Sequence, residues 1–405
     1  MAHTGGPRVA VVAEFYPSQR DPVLGIWAHR QALAARDAGA EIHVLVLHRL
    51  VPPRASLAGG AGGALAARVR EPRTQIRDGL GVTYVPYVSP PREHSYANWG
   101  AWAAPALALA LRRLRRSFDF QLIHAHNAVP AGDAVRRTRT QTPLVVSVHG
   151  GDVLYTAARS ERGREAVARG LGAARLVLAN SGGIAELAHE HGAGETRVVH
   201  LGADLPAAGR TTGRDANVPS VTAGAPSLVT VAHLVARKRH ADVLRALAVL
   251  SSRHPTLRYA IIGDGPERVP LEGLAARLGV AERVDFLGQL PPREALERAG
   301  RCTLFAMPST DEAFGVAYVE AMAAGVPAIG CRGEPGPEEI AAAGDGFLLV
   351  PPGDIERLTQ RIDELLSDPQ RLREAGQRAR VTVAAHFTWK RCGEQTLSAY
   401  EQALR

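Results

Sequence analysis

Two doubly wound, Rossmann-like α/β domains facing across a cleft are what this sequence predicts, and three observations carry the prediction. The chain has 405 residues, about twice an ordinary domain of roughly 100–200 residues. Short β-rich apolar runs alternate with helical stretches in two separate series, the pattern of parallel sheets wrapped by helices. Between the series, Leu205 to Pro226 is Gly, Ala, Thr, Pro and Arg without periodicity, a composition that buries too little apolar surface to order itself. The expected division is an N-terminal domain over residues 1–204, a linker over 205–226, a C-terminal domain over 227–385 and a terminal helix over 386–405 packing back on the first domain.

The first series opens with a strand at Arg8 to Ala13, a loop through Gly25, a helix from about Ile26 to Ala38 and a strand at Ile42 to Leu47, one βαβ unit. Strands follow at Leu122 to Ala125, Leu144 to Val148, Leu176 to Ala179 and Arg197 to His200. The second series places strands at Ser227 to Val231, Leu257 to Ile262, Val284 to Leu287, Cys302 to Met307, Pro327 to Gly330 and Phe347 to Val350. Ligands of such sheets bind at the carboxyl ends of the strands. Pro52 to Arg73, rich in Ala, Gly and Arg, reads as a mobile surface loop.

With 46% hydrophobic and 22% charged residues the chain is globular. The net charge of +8 invites anionic partners. The arginines are scattered, and neither an RNA-binding aromatic signature nor a Cys/His finger spacing occurs, so nucleic acid is not expected. Phosphate-bearing small molecules fit the charge. Cys302, Cys331 and Cys392 have no neighbours at metal-ligand or redox spacing, which argues against disulfides and for a cytoplasmic protein. The apolar run near the start, Val9 to Ala13, is too short for a signal segment, and the longest, Ala101 to Leu111, would cross only about half a bilayer core. Tyr96 to Arg116 carries Trp99, Trp102 and a run of Leu, then Arg112, Arg113, Arg115 and Arg116. It reads either as a buried helix whose last-turn arginines offset the macrodipole, or as a helix lying on anionic lipid at the inner face of the membrane.

The segment with most chemical content runs from Asp311 to Gly325. Glu312 falls in a strand-to-helix turn, Gly315 lets backbone approach a ligand closely, and helix N-terminal amides can hold phosphate. Glu320 projects from the second turn of the following helix. Two carboxylates so spaced can grip hydroxyls at two ends of one ligand.

Glu312, seven intervening residues and Glu320, followed by Ala-Met-Ala-Ala-Gly-Val-Pro, resembles the signature of glycosyltransferase family 4, whose members are retaining, GT-B-fold transferases using nucleotide sugars. The likeness covers most of the chain and is strongest from Leu228 to Leu404, with Gly263-Asp264-Gly265-Pro266, Phe286-Leu287-Gly288 and Leu349-Val350-Pro351-Pro352-Gly353-Asp354 in the family's order. The resemblance implies that Glu312 binds hydroxyls of the donor sugar, Glu320 the nucleotide ribose and Lys238 the diphosphate, with the amides of Phe314, Gly315 and Val316 sharing the phosphate. A point charge suits a leaving group that gains negative charge as the glycosidic bond breaks. Gly265 and Leu290 are placed on the donor side. His233 departs from the arginine that family members often carry there; histidine is a pH-dependent cation, which shifts the phosphate toward Lys238, Arg237 or Arg239, or lowers donor affinity.

In the first domain the resemblance implies that His149, in His149-Gly150-Gly151-Asp152, meets the donor sugar near its anomeric centre, that Asp152 orients sugar or acceptor, and that Gly25 belongs to a loop closing on the diphosphate. His126 is placed on the acceptor side with His124. The expected partners are a nucleotide-sugar donor, UDP by family frequency, and a hydroxyl acceptor on a glycoside, cell-wall or natural-product precursor. No Asp-X-Asp occurs, so no metal and no other cofactor is expected. A sugar-nucleotide epimerase and a non-catalytic binding homologue are the rival readings.

Overall fold

The computed structural model describes residues 5–19, 21–51, 73–90, 98–206 and 225–405. Residues 52–72 of the expected mobile loop and 207–224 of the expected linker lie outside the described residues. The chain divides into two compact units, Met1–Leu201 with Trp389–Arg405, and Gly202–Thr388. The chain changes unit a few residues from the expected positions because Ala203 N–H donates to Phe387 O at 2.8 Å, tying both ends of the second unit to each other.

In the first unit an eight-stranded sheet runs β3-β4-β2-β1-β5-β6-β7-β8. Its strands are β1 Arg8–Ala13, β2 Glu41–Arg49, β3 Thr74–Arg77, β4 Leu80–Tyr87, β5 Leu122–His126, β6 Leu144–Val148, β7 Leu176–Ala179 and β8 Thr196–Val198. All pairs are parallel except β3 with β4. The central β1 (RVAVVA) pairs Val9 with Ile42 on one side and with Leu122 on the other. Helices cover both faces of a parallel sheet, so its strands read as unbroken apolar runs, and Val9 to Ala13 are all fully buried. The β3–β4 pair escaped the sequence reading: β3 is four mostly polar residues, and β4 is interrupted by Gly81 and Pro86. The strand expected at Arg197 to His200 ends instead at Val198.

The second unit holds a six-stranded, all-parallel sheet in the order β11-β10-β9-β12-β13-β14. Its members are β9 Ser227–Val231, β10 Arg258–Ile262, β11 Val284–Gly288, β12 Leu304–Ala306, β13 Ala328–Cys331 and β14 Phe347–Val350. Leu228, Tyr259, Ile261, Leu304 and Ile329 form the core with Val243, Leu244 and Leu247 of the helix His240–Leu250. Thr230, in mid-strand, is reconciled with full burial by bonding Tyr259 Oη at 2.7 Å and donating to Ala306 O, since a buried hydroxyl without a partner is costly.

The terminal helix Trp389–Leu404 packs on the first helix, Ile26–Asp37, within the first unit. Gln31 Nε2 donates to Thr396 Oγ1 at 3.2 Å, Arg30 lies 5.2 Å over the Trp389 ring, and Gly393 sits directly on the Ala34 carbonyl. The helix Trp99–Ser117 buries Trp99, Ala103, Leu107, Leu111 and Leu114 along one face, while Trp102, Leu109 and the arginines are exposed. Of the two tryptophans, Trp99 is therefore core, its Nε1 donating to Tyr87 Oη at 2.5 Å.

Two helical glycines are expected to respond oppositely to alanine. A Cβ on Gly393 would strike the Ala34 backbone, so Gly393→Ala should cost about 1–3 kcal/mol by overpacking. A Cβ on Gly273, in Arg268–Arg277, meets only the end of the Arg277 side chain at 3.4 Å, so Gly273→Ala should gain up to about 1 kcal/mol of helix propensity. Urea midpoints of the two variants check this.

Candidate functional site

A doubly wound sheet offers its site where the strand order reverses, at the carboxyl ends of the strands. In the second unit that point lies at β9, flanked by β10 and β12. The loop after β9 carries His233 and Lys238, and the loop after β12 carries Glu312. The two loops are stitched together: Thr310 N–H donates to Arg237 O at 2.9 Å, and Arg237 Nη1 donates to Asp311 O at 3.2 Å. Lys238 closes the short 3₁₀ turn Ala236–Lys238, with Arg239 beyond it in the left-handed region at φ 54°.

Lys238 Nζ and Glu312 Oε2 form an ion pair whose side chains are only 11% and 9% exposed. Ser309 Oγ donates to the same Glu312 oxygen at 2.9 Å, and Tyr318 Oη, itself donating to Met307 O, lies 2.9 Å from Ser309 Oγ. Burial alone would raise the Glu312 pKa; Lys238, with Arg237 and the Ser309 hydroxyl, outweighs it and holds the carboxyl below the usual carboxylate range. Burial pulls Lys238 below the ordinary lysine value against the opposing pull of Glu312.

The main chain of Glu312 is held from a third direction. Its N–H donates to Glu334 Oε2 at 2.8 Å, and its carbonyl accepts from Gly336 N at 3.2 Å. The Asp311 N–H bonds the Glu334 carboxyl as well, although burial, the largest influence, pushes the Glu334 pKa up. Asp311 is left-handed at φ 53°, a conformation a non-glycine residue keeps only when its surroundings enforce it. Glu334 and Ser309 were missed by the sequence reading. The signal for Glu334 was its place at the head of a Pro-initiated helix, Pro335–Ala343.

The helix after Glu312 begins at Val316, with Gly315 capping it at φ 87°. A Cβ on Gly315 would strike the Tyr318 ring. The first-turn amides have no helical partner, and Glu320, half-buried, follows Val316 by four residues on the same helix face. Gly265 follows β10 and packs on the Leu234 backbone, where a Cβ would clash. Half-buried Leu290 follows β11, and exposed His233 follows β9. Arg239 is committed to Asp242, Nε to Oδ2 at 2.6 Å, so of the two arginines expected to help with phosphate, this one already has a carboxylate.

In the first unit β1, flanked by β2 and β5, marks the switch point. Gly25, at φ 71°, caps the first helix and packs against the Phe15 and Tyr16 backbone. His149, just past β6, and buried His126, ending β5, are joined Nε2 to Nδ1 at 3.0 Å. Asp152 is 1% exposed, and its two oxygens accept the Ala128 and Val129 amides at 2.9 and 3.1 Å. Burial, against those bonds, raises its pKa to about 6. It is a clamp between the loops after β5 and β6. His124 is likewise internal, bonding Tyr400 Oη at 2.7 Å and Ser147 Oγ at 2.8 Å. Among the described residues no His, Cys, Asp and Glu cluster is arranged to hold a metal ion.

Comparison with known proteins adds the context. Residues 24–206 match the family model described as Glycosyltransferase Family 4, and residues 216–382 the model described as Glycosyl transferases group 1. A D-inositol 3-phosphate glycosyltransferase of Nocardia farcinica is 31% identical over 74% of this chain and 71% of its own length. Two other relatives are matched over less than two thirds of their length. An exopolysaccharide phosphotransferase of Streptomyces coelicolor is 38% identical over 38% of this chain and 16% of its own. A GDP-mannose-dependent mannosyltransferase of Mycolicibacterium smegmatis is 33% identical over 42% of this chain and 46% of its own. Among solved structures, the sucrose-phosphate synthase of Thermosynechococcus elongatus superposes with a TM-score of 0.76 at 22% identity, over 98% of both chains. Anabaena HepE in complex with UDP and glucose does so at 0.70 and 20%, over 98% of this chain and all of that one.

A double-mutant cycle tests the buried pair. Lys238→Met leaves the Glu312 charge uncompensated and should destabilise the second unit by about 3–5 kcal/mol, whereas Lys238→Met with Glu312→Gln should recover most of it. Because the folded pKa of Glu312 is depressed from 4.5, its stabilising contribution is present above about pH 4.5 and is lost as pH falls through the folded value. Glu312→Gln should flatten that acid limb in thermal melts.

Proposed function

The chain belongs to glycosyltransferase family 4, and from that premise we propose that it moves a hexose or N-acetylhexosamine from a nucleoside diphosphate sugar to an acceptor hydroxyl. UDP is the proposed nucleotide, and the acceptor class is a glycoside, cell-wall or natural-product precursor. The transfer retains anomeric configuration and uses no metal. The observation that carries the reading is the Lys238–Glu312 pair at the switch point of the second unit.

Lys238 Nζ and Ser309 Oγ both bond Oε2 of the Glu312 carboxylate, which leaves Oε1 as the oxygen proposed for a donor-sugar hydroxyl. Lys238 keeps further N–H donors for the diphosphate, whose charge grows as the glycosidic bond breaks. The first-turn amides of Val316–Ala323 supply partial positive charge to the same group, and Glu320 takes the ribose. In the first unit, His149 is the group proposed for the donor sugar. The resemblance implies front-face attack, in which the departing phosphate removes the acceptor proton, so no protein nucleophile is required. Glu312, held below the usual carboxylate range, suits hydroxyl binding better than general acid work.

The names of the mannosyltransferase relatives favour GDP-mannose as a second donor reading. The proposal also places the protein in the cytoplasm at the inner face of an anionic membrane. Trp102 and Leu109 are exposed on one stripe of the helix Trp99–Ser117, continued by Arg113 and Arg116, and the three cysteines are free.

A thermal-shift screen against UDP, GDP and their sugars should give one nucleotide that raises the apparent stability, as a ligand of the folded state must. With that donor, Glu312→Ala and Lys238→Ala should each lower turnover about a hundredfold or more. Near-normal transfer by both variants sinks the proposal, and release of a free epimer without acceptor transfers it to the epimerase reading.

A further inference from the structure

His126 and His149 come from adjacent parallel strands and meet at their ends. Their rings are 6° from coplanar with centroids 5.2 Å apart, and the Nδ1–Nε2 separation is 3.0 Å. That centroid distance is what two imidazoles give when joined in line through their edges, so this is a directed N–H···N hydrogen bond rather than a stack. His126 is 3% exposed, and on its far side the His124 ring lies against it, centroids 4.5 Å apart. His124 is in turn fixed by Tyr400 and Ser147. The Trp27 ring lies against His149, centroids 6.1 Å apart.

We infer that His126 is the positioning residue of His149, fixing its ring orientation and setting whether its Nδ1 donates or accepts a hydrogen bond.

One proton lies between Nδ1 of His126 and Nε2 of His149. If His126 supplies it, the neutral His149 ring carries its own proton on Nδ1 and donates there; if His149 supplies it, Nδ1 is bare and accepts. Burial lowers His149 to about 3 and His126 well below its ordinary value, so both rings are neutral at pH 7 and the coupling is between tautomers. His149 Nδ1 and His126 Nε2 are both buried without a hydrogen-bond partner among the described residues, so Nδ1 is the His149 nitrogen that a ligand hydroxyl would have to meet. Packing by His124 keeps His126 from rotating, so the C-terminal helix, through Tyr400, steadies the pair.

The activity part of the test rests on the glycosyl-transfer reading; the spectroscopic part does not. In full-length protein labelled with ¹⁵N-histidine, and with His149→Gln to assign the signals, His149 should show one neutral tautomer and a far-downfield ring N–H. His126→Phe removes the bond and should leave His149 averaging between tautomers. His126→Asn places a polar atom where Nδ1 stood and should keep a single tautomer, while His126→Gln places it where Nε2 stood and should not. With the donor found by screening, His126→Phe and His126→Gln should lower kcat about tenfold to a hundredfold with donor KM changed less than about threefold, and His126→Asn should recover most of kcat. Near-UV circular dichroism shows that each variant is folded. An unchanged His149 spectrum in folded His126→Phe overturns the inference whatever the activity. Equal kcat losses in folded His126→Asn and His126→Phe overturn it too. Wild-type protein with no transferase activity overturns the functional reading alone, and the spectra still decide the role of His126.

Discussion

A lysine and a glutamate buried side by side are the constraint around which the second unit is arranged. Taking both charges out of water costs several kcal/mol per ion, and their attraction offsets this only with good geometry and further hydrogen bonds. Each additional device in the two loops serves that geometry. Ser309, backed by Tyr318, bonds the carboxylate, the Thr310–Arg237 backbone bond ties the two loops together, and Glu334 bonds the main chain of Glu312 and of Asp311, whose left-handed conformation glycine would adopt more readily. The parallel sheet makes this feasible, because β9 and β12 are neighbours running in one direction and deliver both loops to the same edge.

Sequence reading succeeds where the physical signal is local. Strands made mostly of apolar residues, such as β1, β6, β9 and β14, fall at their expected places, whereas β3 and β4, polar or broken by glycine and proline, escape the sequence pattern. The spacing of Glu312 and Glu320 is visible because both lie on one turn and helix, whereas Lys238 enters through the family resemblance. Glu334 reaches Glu312 across 22 residues and through backbone amides, so no spacing betrays it. The bonds of Asp152 to the Ala128 and Val129 amides are hidden for a related reason, since they reach across 24 and 23 residues to backbone groups. Gly393 lies against the Ala34 backbone of the first helix, a contact between residues so far apart in sequence that no local spacing reveals it.

The two units differ in electrical character. In the second, charged side chains are buried and compensated. In the first, the buried groups near the switch point include neutral imidazoles, with His124 and His149 lowered to about 3 by burial, beside the carboxyl groups of Glu14 and Asp152. Neutral rings match uncharged sugar hydroxyls, which need donors and acceptors in place but gain nothing from net charge. A phosphate gains most from charge and from amides, and the second unit concentrates both.

This distribution bears on why a histidine at position 233 is tolerable where family members often carry arginine. In the free protein the Lys238 charge is already offset by Glu312, Arg237 bonds the Asp311 carbonyl and Arg239 bonds Asp242. Under the proposed function a diphosphate would meet a cluster whose cations are largely committed, and its binding would depend on Lys238 turning spare N–H donors toward it while Glu312 exchanged part of that charge for sugar hydroxyls. On that reading sugar and phosphate would be recognised jointly. A nucleoside diphosphate lacks the donor-sugar hydroxyls proposed for Glu312, and a free sugar lacks the phosphate proposed for Lys238. An added arginine at 233 would then strengthen phosphate binding in donor and spent nucleotide alike, whereas the Lys238–Glu312 exchange would favour the intact donor over its product.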